Sequence, residues 1–194
     1  METYLFEFIE AFTHLILHIT NVYSSEYFEK KRKFNTLVWH CKNKQVEDYI
    51  QQALTPIKTY LIDKSLYKYR LLLRDLKGKV LNIYTIEFEQ IYKTDSTQFN
   101  YSSLEQFIWD CFTCIEMQIC ENYDTEKTFE ISFDLLRDQE TNPSINENLD
   151  DWEVISNDVL ENFEKKILKS MHVSDNFNSS SICQIYVESR KDFC

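Results

Sequence analysis

The chain has 194 residues, 43% hydrophobic and 15% aromatic, with a formal net charge of −11. That is enough apolar material for one folded core, and it excludes a disordered chain. A single glycine excludes glycine-rich phosphate loops, which need several, and the acidic balance argues against strong direct nucleic-acid binding, which works by neutralising phosphates.

The first predicted element is a long apolar helix. Leu5, Phe8, Ile9, Phe12, Leu15, Ile16, Ile19 and Val22 recur at the spacing of one helix face, and Phe6, Ala11 and Leu17 widen the stripe. A helix of roughly 18 residues would be a rod of about 27 Å. Glu7, Glu10, His14 and His18 interrupt it. It therefore reads as a core pillar of an intracellular protein, not as a membrane span or a secretion signal. Tyr23-Ser24-Ser25 breaks the pattern, and Lys30-Lys31-Arg32-Lys33 follows as a basic turn. A solvated helix corner is the favoured reading of that block over a phosphate site.

A β-prone run at 36–40 precedes a second helix, with Val46, Tyr49, Ile50, Ala53, Leu54, Ile57 and Leu61 on one face. Pro56 removes a backbone donor inside it, which predicts a kink or two shorter pieces. Two strand-like runs, 66–74 and 79–89, flank Asp75-Leu76-Lys77-Gly78, so the only glycine falls where a tight turn favours positive φ. Ser102 and Glu105 have the spacing of a capping box opening a third helix. Its stripe is Leu104, Phe107, Ile108, Cys111, Phe112, Ile115 and Ile119. Residues 128–136 alternate as a strand, with Phe129, Ile131, Phe133 and Leu135 on the apolar side.

From 137 to 151 the chain turns polar and reads as a loop. A helix-compatible stretch covers 158–171, a Ser/Asn-rich loop 174–181 and a strand 182–189. On that strand Cys183, Ile185 and Val187 face one way, and Gln184, Tyr186 and Glu188 the other. The expected class is α+β: three helices packed on a mostly antiparallel sheet, in a single domain.

Few residues suggest chemistry. His14 and His18 have the spacing of half a zinc site, but no third ligand stands at zincin spacing and both flank an apolar stripe. Cys111 and Cys114 are spaced as a redox or zinc pair but lie within an apolar helix with no second pair, so packing is the favoured reading. The six cysteines read as free thiols, and no nucleophile–base pair stands out; the expectation is no enzyme, no metal and no cofactor. Tyr49 reads as core. Trp152, after an acidic loop, either packs back or grips a ligand. Gln184 and Tyr186 share a wet strand face, an arrangement suited to a protein interface.

Residues 14–61 resemble the opening of HORMA domains. The matching features are His14-Leu15-Ile16-Leu17, Val22-Tyr23, Phe28 leading into Lys31-Arg32-Lys33-Phe34-Asn35, and Tyr49-Ile50-Gln51 with Leu54. The basic, aromatic and asparagine run, with Gln184-Ile185-Tyr186-Val187-Glu188 and Arg190, is most similar to the branch that serves DNA polymerase zeta as its accessory, non-catalytic subunit. The resemblance implies a core at 1–136 and a "safety belt" at 137–194 that traps a partner peptide against the sheet by strand addition. It implies that Tyr49 and Trp152 hold a proline-containing segment of the polymerase's catalytic subunit. It also implies that Gln184 and Tyr186 dock the deoxycytidyl-transferase scaffold polymerase, in the nucleus, during translesion synthesis. A spindle-checkpoint or meiotic-axis adaptor is the alternative within the family. Ser24 stands where the family commonly has proline. Thr113 stands where an arginine supports dimerisation, which argues against a homodimer.

Overall fold

The computed structural model describes residues 2–88, 101–119, 126–136, 163–175 and 178–190. Helix α1 (Glu2–Ile19) buries Leu5, Phe8, Ile9, Phe12, Leu15, Ile16, Ala11 and Leu17, so it is apolar on nearly every side. It stops at Ile19, four residues before Tyr23. Asn21 adopts φ 53°, Val22 N donates to Leu17 O at 3.2 Å, and Asn21 N donates to His18 O at 3.1 Å. This is a Schellman ending with asparagine in the left-handed position. Val22 therefore lies beyond the helix on whose stripe its spacing placed it. The buried Lys127 ammonium donates to Thr20 O at 2.8 Å, satisfying a further carbonyl at the helix end.

The basic block is neither a turn nor a helix corner. It forms strand β1 (Phe28–Lys33), paired antiparallel with β2 (Thr36–Cys41). Phe34 and Asn35 turn the hairpin with φ 50° and 55°, as a two-residue turn with both central residues in the positive region requires. A phenylalanine there is strained, and burial against Tyr4 and Phe112, with ring centroids 5.6 and 6.4 Å away, holds it.

Helix α2 (Lys44–Ile62) is one continuous helix, not two pieces, and the Asn43 side chain caps it by accepting from Gln45 N at 3.0 Å. The donor that Pro56 lacks would have served the carbonyl of Gln52, which lies on the exposed side, where water can replace it. Leu54 and Ile57 on the other side are fully buried and keep the helix seated.

Strands β3 (Leu66–Asp75) and β4 (Val80–Glu87) form the expected hairpin. The Asp75 carboxylate accepts from Lys77 N and Lys79 N at 2.9 Å, and Gly78 sits at φ 80°. A Cβ at Gly78 would meet nothing within 4 Å. Gly78→Ala should therefore cost only backbone strain, about 1 kcal/mol in urea unfolding. An unchanged midpoint would show that the turn relaxes freely.

Helix α3 (Tyr101–Gln118) buries the predicted stripe from Leu104 to Ile115. Ser102 lies inside the helix instead of capping it, and the Glu105 carboxylate accepts from the Tyr4 hydroxyl at 2.9 Å. Strand β5 (Lys127–Leu135) follows.

The C-terminal region departs most from expectation. The stretch read as helix from 158 to 171 contributes instead to strand β6 (Phe163–Asp175), and the Ser/Asn-rich loop is mostly the start of β7 (Asn178–Arg190). The two pair from Phe163↔Arg190 to Asp175↔Asn178. Register shifts after Ile167 and after Met171 hide the two-residue period in the sequence, and Leu168, at the first shift, is buried.

The five-stranded sheet runs β5-β3-β4-β7-β6, with every described pairing antiparallel. One face packs Tyr69, Leu71, Leu73, Tyr84, Ile86, Ile131, Ile185 and Val187 against the three helices. The other carries a small cluster of Leu72, Val80 and Ile83 with Phe163 packed on it. This is the α+β layout expected.

Candidate functional site

Strand β5 lies at one end of the sheet. Its register with β3 runs from Leu66↔Leu135 to Asp75↔Lys127, and no described strand pairs with its other side. Such an edge presents unpaired backbone donors and acceptors. Aromatic rings stand beside it. Tyr49, expected in the core, is 47% exposed and meets Phe129 of β5 edge-on at 5.3 Å. Tyr23 meets the same ring at 6.2 Å, and Tyr60 meets Phe133, four residues along β5 on the same face, at 5.3 Å. Partial burial, and then the Glu130 carboxylate, raise the Tyr49 phenol above its usual range. It therefore stays neutral at physiological pH.

An open strand edge flanked by half-exposed rings can take an extended peptide, by main-chain pairing and ring packing together. Tyr23 and Phe129 were not predicted for this site. Alternation placed Phe129 on the inner face but could not say that β5 would be terminal. Trp152 and the polar stretch 137–151 lie outside the described residues.

Gln184 and Tyr186 lie elsewhere. They are on β7, three strands from β5, or about 14 Å across the sheet. They face away from the helices. Tyr186 is 2% exposed, which corrects the expectation of an open ring. The Lys165 ammonium sits 3.5 Å above the ring centroid, and the phenol donates to Glu87 Oε2 at 3.3 Å. Burial pushes that phenol up to about 12. What covers it is long charged side chains, not packed core.

Around it runs a lattice of paired charges. Lys68 pairs with Glu87 at 3.3 Å, Arg70 with both Asp134 oxygens at 2.5 and 2.6 Å, and Arg74 with Glu130 at 2.7 Å. Gln184 is partly buried beside it. The sequence showed the alternation but not the lysines that close over Tyr186.

The histidines pack against other rings. His14 is 2% exposed, its Nδ1 accepts from Cys41 N at 3.3 Å, and its ring lies 4.4 Å from that of His40. His18 sits between Phe28 at 5.0 Å and Trp39 at 3.8 Å. His40 Nε2 lies 3.4 Å from Glu47. Among the described residues, no group of three or more His, Cys, Asp or Glu side chains is placed to hold a metal. Burial raises the thiols of Cys111 and Cys183, which removes the thiolate that nucleophilic chemistry needs. The Cys114 thiol donates to Leu168 O at 3.3 Å. No described helix is long and apolar enough to cross a membrane.

No family model matches the chain. Over 59 residues it is 39% identical to the mitotic spindle assembly checkpoint protein MAD2B of Danio rerio, covering 30% of this chain and 28% of that protein. Over 84 residues it is 29% identical to MAD2B of Homo sapiens, covering 43% and 40% respectively. The matched stretches thus span less than half of these relatives. The fold likeness is wider. A chain in the crystal structure of the mitotic checkpoint complex superposes with TM-score 0.75 at 18% identity, covering 97% of this chain and 98% of that one. C. elegans HTP-2 bound to the HIM-3 closure motif gives TM-score 0.67 at 13% identity, covering 96% and 88%.

Proposed function

We propose that this chain, which shares its fold with a chain of the mitotic checkpoint complex and part of its sequence with MAD2B, is a HORMA-domain protein and a non-catalytic adaptor subunit of DNA polymerase zeta in translesion synthesis. It traps a peptide of the catalytic subunit beneath a belt formed by 137–194 and bridges it to the deoxycytidyl-transferase scaffold polymerase, in the nucleus. The observation that carries the reading is the β5 edge, which no described strand pairs with on its outer side, with Tyr49 beside Phe129. A partner strand can complete the sheet there while a proline ring packs on exposed aromatic surface. The second surface, Gln184 and Tyr186, lies on the opposite face, so both partners fit at once. The sequence match to MAD2B and the paired-charge face are what support this reading over generic peptide capture.

Titration calorimetry with each partner separates the surfaces. Tyr49→Ala should weaken capture of the proline-containing peptide about tenfold and leave scaffold binding alone. Tyr186→Ala together with Gln184→Ala should do the reverse. Since Tyr186 is buried, its variant is read beside a thermal melt, and Gln184→Ala alone serves if the double variant unfolds. Equal losses on both partners would defeat the two-surface reading.

A checkpoint or meiotic-axis adaptor is the second reading, favoured by the likeness to a chain of the mitotic checkpoint complex. Affinity purification that recovers checkpoint or axis proteins and no polymerase would establish it instead.

A further inference from the structure

The β1–β2 hairpin stands outside the five-stranded sheet, and β1 concentrates positive charge in an otherwise acidic chain. Its cations divide by face, because alternate residues of a strand point to opposite sides. Lys33 pairs with Glu10 at 2.6 Å and Lys31 with Glu29 at 3.6 Å, on the face where Val38 and His40 are buried. Lys30 and Arg32 are exposed on the other face and meet no carboxylate among the described residues. Lys30 Nζ sits 4.8 Å from the Trp39 ring centroid, and Arg32 donates to the Asn35 side-chain oxygen at 3.2 Å. Across from them in register stand Trp39 and Leu37, the latter 62% exposed. No described strand pairs with the outer edge of β1. One edge thus combines backbone donors and acceptors, two cations about 7 Å apart and a flank of Leu37 and Trp39, whose indole N–H donates to the Glu116 carboxylate at 3.0 Å.

We propose that this edge is a docking strand for an acidic, extended segment of a protein partner, which adds to β1 with carboxylates at alternating positions. Side chains two apart on the added strand fall beside Lys30 and Arg32, and opposite charges on adjacent strands attract. A peptide fits better than nucleic acid. The net charge of −11 repels a polyanion, and a phosphate backbone leaves the amide edge unused. Lysines on exposed edges deter indiscriminate strand pairing. They deter neutral and basic strands, and two cations that meet no carboxylate among the described residues select an acidic one. The hairpin is separate from the β5 edge and from Tyr186, so this docking stands or falls independently of the function proposed above.

The test is fluorescence anisotropy on the full chain, using a labelled peptide of about ten alternating Glu and Thr residues. A Lys–Thr peptide and a single-stranded oligonucleotide of similar length are the comparisons. The Glu–Thr peptide should bind, more weakly as salt rises, and the Lys–Thr peptide should not. Lys30→Glu with Arg32→Glu should weaken it at least about tenfold and admit the Lys–Thr peptide. Methylating alternate peptide nitrogens, which keeps the charge and removes strand donors, should also abolish binding. Lys30→Gln with Arg32→Gln should likewise weaken the Glu–Thr peptide, without admitting the Lys–Thr one, and serves should the reversal melt the hairpin. No binding of the Glu–Thr peptide, binding indifferent to these variants, or preference for the oligonucleotide would overturn the proposal.

Discussion

Phe8→Ala should destabilise the protein by about 3–5 kcal/mol. Phe8 is fully buried on α1, and its ring contacts Phe12 at 6.3 Å and Phe107 and Phe112 of α3 at 6.2 and 5.7 Å. Phe112 in turn holds Phe34 at the strained hairpin turn, and Phe12 meets Tyr69 of β3 at 6.4 Å. Removing the hub leaves a cavity between two helices whose other contacts fix their spacing, so collapse is incomplete and transfer and cavity terms add. In a chain of this size the loss should lower the melting temperature by roughly 10 °C. Phe8→Leu should keep most of the volume and lose far less. Urea unfolding of both variants checks this. A loss below about 1 kcal/mol for alanine would show that α1 and α3 close over the gap.

The second large effect is on acid stability. Burial, with His40, Lys33 and Lys31 nearby, lowers His14 from 6.5 to about 3 in the folded chain. The unfolded chain therefore takes up a proton that the folded one refuses. The stabilisation is complete above about 6.5 and is lost as pH falls from there toward about 3. By pH 5 His14 alone has lost about 2 kcal/mol of that stabilisation. His18 and His40 are lowered by burial too, and act in the same direction, with Glu116 opposing at His18 and Glu47 and Glu10 opposing at His40. His14→Gln cannot titrate, so its unfolding free energy should fall less between pH 7 and pH 5 than that of the unaltered chain. Parallel pH profiles for the two proteins would sink this account.

The three helices were legible because most of their apolar spacing survives in the structure: Leu5 to Ile16 and Leu104 to Ile119 are buried as read, and so are Val46, Ile50, Leu54, Ile57 and Leu61, while Tyr49 of the same stripe is exposed. The β3–β4 hairpin was legible through one glycine whose backbone angle few other residues adopt readily. The basic block was not. Lys30 to Lys33 carry no strand pattern of their own, and pairing with the β-prone β2 makes them one. Strand β6 was missed for a similar reason, since its register shifts erase the alternation. Of the candidate site, Tyr49 was reached through family resemblance, and its exposure beside Phe129 required the topology that makes β5 terminal. The burial of Tyr186 depends on where the Lys165 ammonium comes to rest, 3.5 Å over its ring, which no local pattern encodes.

The order of the sheet has a consequence for timing. Among the described strands, β6 pairs with β7 alone, and β7 joins the sheet through its ladder with β4, Asn82↔Ser189 to Glu87↔Gln184, while Lys169–Asp110 and Cys114–Leu168 tie β6 to α3. These two strands therefore peel away together or stay together. In the adaptor proposed above, release of a trapped segment waits on that event. Its residence time then follows the barrier to breaking one ladder and lifting Leu168, Ile185 and Val187 out of the core. A weakly contacting ligand could thus be held as long as a tightly contacting one.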